Sequence, residues 1–64
     1  MMTYTATSVR VDAPPPDMWG EKRAVVTMRG ERQALGRDDV SYAGWLQLCQ
    51  AASGQTLKIM VRDQ

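Results

Sequence analysis

A single cysteine, Cys49, and no histidine stand among 64 residues, so no intramolecular disulfide and no ordinary zinc cluster can staple this chain. Whatever fold it adopts must rest on one apolar core. A domain of this size buries only about 60% of the surface its unfolded chain exposes, which leaves stability marginal and makes self-association an expected aid. Hydrophobic residues make up 44% of the sequence, enough for a globular domain and too many for a disordered tail.

The apolar residues fall into two periodicities. In Thr56–Arg62, Leu57, Ile59 and Val61 alternate with Lys58, Met60 and Arg62, the period of a strand with one buried face. Thr3–Val11 is dense in Thr and Val, with Thr5, Thr7, Val9 and Val11 on one parity, and predicts another strand. Arg23–Met28 reads as a third. Arg29-Gly30 then forms a turn, because glycine accepts the positive φ that a tight hairpin needs. Glu31–Leu35 returns by position rather than by propensity. A two-residue loop would set Ala24, Val26 and Met28 on the face of Gln33 and Leu35; a bulged three-residue loop would shift that register.

Between positions 40 and 52 the period changes to that of a helix. Tyr42, Trp45, Leu46 and Cys49 recur at i, i+3, i+4 and i+7, with Leu48 and Ala52 widening the stripe. Asp38 and Asp39 are placed to cap its N-terminus, and Gly54 to end it. Gly44, inside the helix, costs about 1 kcal/mol relative to Ala and would allow close approach to the sheet. Residues 12–22, with Pro14, Pro15 and Pro16, predict an extended loop. The expected fold is thus a single α+β domain: a small three- to four-stranded, mostly antiparallel sheet packed by one amphipathic helix, in the order β-β-β-α-β.

The usual catalytic groups are missing or badly placed. Cys49 lies mid-helix with no histidine to activate it and is expected to pack rather than react. Asp38-Asp39 is the one adjacent carboxylate pair, and neighbours on a helix do not converge on a metal. The glycines of 30–36 are too far apart for a nucleotide fingerprint. No enzyme activity, metal or cofactor is expected. Eight Lys and Arg against seven Asp and Glu give a formal charge of +1, no broad pull toward nucleic acid or membrane. No leader is evident at Met1-Met2 or beyond and there is one free thiol, which together point to the cytoplasm.

Two features remain as partner-binding candidates. Arg23, Arg29, Arg32 and Arg37 fall within fifteen residues, and a hairpin could gather them to meet phosphates or an acidic protein surface. Their plain reading is a solvated face interleaved with Glu21 and Glu31. Met18 and Trp19 follow the prolines and could anchor an interface; their plain reading is that Trp19 folds back to cap the core. In size and composition alone the chain resembles the accessory proteins of phages and mobile elements that bind and block a host machine. The leading expectation is a non-catalytic regulator or inhibitor that binds a protein with an acidic surface. The alternatives are a nucleic-acid-binding domain using the same arginines and a structural homo-oligomer subunit. A homodimer is expected through the edge of Thr56–Arg62, where Met60 joins the outward set.

Overall fold

A computed structural model describes residues 3–19 and 22–63. Of the expected loop over 12–22, positions 20 and 21 lie outside the described residues. Among the described residues four strands, β1 (Tyr4–Ala13), β2 (Ala24–Met28), β3 (Glu31–Leu35) and β4 (Thr56–Arg62), form one antiparallel sheet, and a single α-helix, α1 (Tyr42–Gln50), lies between β3 and β4 in the chain. The sheet order is β3-β2-β1-β4, so the longest strand is central and the last strand pairs back onto the first. Among the described residues no helix is long and apolar enough to cross a membrane.

The hairpin takes the two-residue register. Met28 pairs with Glu31 and Ala24 with Leu35, while Arg29 and Gly30 both take positive φ, 54° and 78°, as a type I′ turn requires. Arg29 is a costly choice there, since a left-handed L-residue loses about 1–2 kcal/mol. β1 runs two residues beyond its expected end. Asp12 is the extra residue of a bulge: Val11 pairs with Val26 and Ala13 with Val25, which turns the Asp12 carboxylate back over the sheet.

α1 begins later than expected. Val40 stays extended (φ −136°, ψ 165°) and bridges Val61 on the outer edge of β4, and the Ser41 N–H donates to the Met60 carbonyl at 3.0 Å. Ser41, rather than Asp38 or Asp39, caps the helix, its Oγ accepting from the Gly44 N–H at 3.1 Å. The two aspartates instead belong to a 3-10 turn, Arg37–Asp39, where Asp39 Oδ2 accepts from the Gly36 N–H at 2.7 Å. At its other end α1 stops at Gln50, with Ala51 extended, and Gly54 (φ 90°) serves the following turn rather than the helix.

One face of the sheet meets α1. Val9, Val11, Ala24, Val26, Ile59 and Val61 supply its floor, and Trp45, Leu48 and Val40 close it from above. The buried side of α1 is Gly44, Trp45 and Leu48, rotated by roughly one residue's 100° step from the expected stripe of Tyr42, Trp45, Leu46 and Cys49. Leu46 and Cys49 are only half-buried, and Tyr42 is 72% exposed. The rotation follows from Gly44. An added Cβ there would lie 3.3 Å from Ile59 Cβ, so the bare backbone of the helix approaches β4 closely at this point. The expected β4 edge is partly taken by Val40 and Ser41; among the described residues β3 is the sheet edge left open, guarded by the charges of Glu31 and Arg32.

Candidate functional site

The segment after β1 is docked before it reaches Trp19. Pro15 is buried and Met18 packs against the core. The Trp45 indole N–H donates to the Met18 carbonyl at 3.1 Å, which holds this segment against the flank of α1. Buried Trp45 therefore satisfies its polar atom with loop backbone, and the next residue, Trp19, is turned outward at 75% exposure. It does not cap the core; Trp45 already occupies that position.

Trp19 and Tyr42 face a cleft of about 340 Å³ lined also by Met18, Trp45, Arg37 and Asp38. Its walls are mostly aromatic and thioether surface, and its rim carries one cation and one anion. Among the described residues neither Arg37 nor Asp38 forms an ion pair. The arrangement suits an apolar anchor entering between the rings with a polar group meeting the rim.

The four candidate arginines do not share this site. Only Arg37 does. Arg23 and Arg29 line a second, polar cleft of about 530 Å³, on the helix side of the sheet beyond the reach of α1, together with Thr7, Gln33 and Asp63. Arg23 lies 3.7 Å from Asp39 Oδ2. Arg32 pairs with Thr27 and belongs to the opposite face. Arg29 lies in the turn, whereas Arg32 lies in β3, where strand alternation turns it to the side opposite Glu31, Gln33 and Leu35.

Sequence reasoning missed Tyr42 as a surface residue. Hydropathy alone puts it on the apolar stripe, and only the packing of Gly44 places the buried centre elsewhere. The sequence also offers no sign of the network around Asp12. There Thr27 Oγ1 donates to Asp12 Oδ2 at 2.6 Å, Arg10 Nη2 donates to Thr27 Oγ1 at 3.2 Å, and Arg10 Nε lies 3.1 Å from Asp12 Oδ1. The Thr27 hydroxyl, followed by Arg10 and Arg32, holds the Asp12 carboxyl below its ordinary value.

Cys49 sits on the flank of α1. Burial, and then the negative charge of Asp17, push its thiol above the ordinary value, which lowers the thiolate fraction. We expect a maleimide at pH 7 to label Cys49 at least about tenfold more slowly in the folded chain than in denaturant. Equal rates in the two conditions would show the thiol to be freely exposed.

Comparison with family models, curated proteins and solved structures returns no match for this chain.

Proposed function

We propose that this chain is a non-catalytic protein-binding module, a regulator or inhibitor of a larger assembly, that docks through the Trp19–Tyr42 groove. The observation that carries this reading is the pair of rings, 75% and 72% exposed, that both line one mostly apolar cleft in so small a domain. Covering about 100 Å² of each ring would stabilise a complex by roughly 2.5 kcal/mol per ring at ~25 cal/mol/Å². The partner is an apolar segment of another protein that carries a carboxylate for Arg37. Charge complementarity favours that choice, since Arg37 makes no ion pair among the described residues and a guanidinium pairs best with a planar carboxylate.

The test uses peptides selected from a displayed random library against the folded chain. Peptides with an aromatic or aliphatic anchor beside an acidic residue are expected. Trp19→Ser should weaken their binding by about 30-fold or more, the loss typical of an interface anchor. The melting temperature should hardly move, because exposed substitutions shift stability by no more than about 0.5 kcal/mol. Selected peptides that bind Trp19→Ser and Tyr42→Ser as tightly as the parent would defeat the proposal.

A further inference from the structure

Among the described residues nothing covers the face of the sheet turned away from α1, and its charge differs from that of the rest of the chain. Strand pairing places Arg32, Thr27, Arg10 and Thr56 in one row across β3, β2, β1 and β4. Below it, Ser8 pairs with Lys58, Ala6 with Met60 and Tyr4 with Arg62. Arg10, Arg32, Lys58 and Arg62 are all exposed. Among the described residues the one carboxylate on this face is Asp12, already engaged by Arg10 and Thr27. Among the described residues four cations and one anion give the face a formal charge of +3, while the other four cations and five anions sum to −1. A net charge of +1 therefore hides a segregated surface.

We propose that this open face binds single-stranded nucleic acid. It is an additional surface, independent of the aromatic groove. Three features select that ligand. First, the side chains among the cations are short, Ala6, Ser8, Thr27 and Thr56, with Arg10 on the central strand between Thr27 and Thr56. Arg32 and Arg10 are two strands, about 10 Å, apart, and Lys58 and Arg62 are four residues, about 13 Å, apart. Extended phosphates can be tracked by such a spread, whereas a protein interface would want large apolar anchors at its centre. Second, the Arg10 guanidinium is already oriented through Nε and Nη2 by Asp12 and Thr27, so less side-chain freedom is lost when a phosphate arrives. Third, among the described residues the face is a sheet surface with no helix or hairpin standing out from it to enter a duplex groove. Half-buried Tyr4, beside Arg62 and near Met60, offers a ring on which a base can stack.

The test is fluorescence anisotropy with a labelled 15-nucleotide oligothymidylate, the same strand annealed to oligoadenylate, and polyglutamate as competitor. Binding to the single strand is expected to fall about 30-fold between 50 and 200 mM salt, the loss for three to four phosphate contacts at ~0.7 per contact in the logarithmic slope. Arg32→Glu with Lys58→Glu should weaken it by about tenfold or more with the melting temperature unchanged, and Tyr4→Ala by about tenfold while Tyr4→Phe binds like the parent. Arg29→Glu, on the other side of the sheet, should bind like the parent. Absence of binding at 50 mM salt would overturn the proposal, as would equal affinity for the duplex. Competition by polyglutamate as effective as unlabelled oligothymidylate would assign the face to acidic proteins instead. A loss with Arg29→Glu matching that of the sheet-face variant would place the contact elsewhere.

Discussion

Replacing Leu48 by Ala is expected to remove most of the stability of this domain. Leu48 is fully buried, in the same core cluster as the fully buried Val9, Val11 and Val26 of the sheet. Truncating such a leucine costs about 2–5 kcal/mol, from lost transfer energy and the cavity left behind. A 64-residue chain has roughly 3–10 kcal/mol to lose. At about 4–8 °C per kcal/mol for a domain of this size, thermal unfolding followed by circular dichroism should shift down by 10 °C or more, or show no folded baseline. Leu46→Ala, on the half-buried flank, should cost clearly less. The reverse order would mean that the helix presents the Tyr42–Leu46–Cys49 side to the sheet.

The second large effect is at Gly44. A Cβ there would stand 3.3 Å from Ile59 Cβ and 3.2 Å from the Ser41 Oγ that caps the helix, so a larger side chain must lift α1 off β4. Gly44→Leu gains about 1 kcal/mol of helix propensity. Against that, it overpacks the contact by about 3 kcal/mol and disturbs a cap worth about 1 kcal/mol. A net loss of roughly 3 kcal/mol in urea unfolding is expected, with exposure of Trp45 reported by a red-shifted emission. Gly44→Ala adds one carbon only, and its propensity gain offsets much of the overlap, so it should stay within about 1 kcal/mol of the parent. Equal stability of Gly44→Leu and the parent would contradict the close helix–sheet contact.

The strands were legible because their signals are local. β4 and β3 have the expected bounds, and the Arg29-Gly30 turn selects the two-residue register. α1 was legible as an element but not in its rotation. Tyr42, Leu46 and Cys49 form an apolar arc as strong in hydropathy as Trp45 and Leu48, and the choice between them is made by Gly44, a residue to which hydropathy gives no direction. Its start differs for a tertiary reason: Val40 and Ser41 are held by Val61 and Met60, 21 and 19 residues away in sequence. The site was partly legible. Met18 and Trp19 lie together with Arg37, as candidates from the same reading, but Tyr42 joins them only through the helix rotation. Arg23, Arg29 and Arg32 are neighbours in sequence and divided by the sheet. The open basic face could not be read without strand order, because it assembles Arg10, Arg32, Lys58 and Arg62 from three different strands.

Amide and indole chemical-shift mapping, with the selected peptides titrated into isotope-labelled chain, tests the docking groove most directly. The two indole N–H signals separate the candidates, since that of Trp45 is tied to the Met18 carbonyl and Trp19 is 75% exposed. The groove assignment predicts the largest shifts at the Trp19 indole, Tyr42 and Arg37, with residues of the open sheet face such as Ser8 and Lys58 unmoved. Shifts concentrated on Arg23 and Arg29 around the polar cleft, or on the open face of the sheet, with the Trp19 indole unchanged, would contradict it.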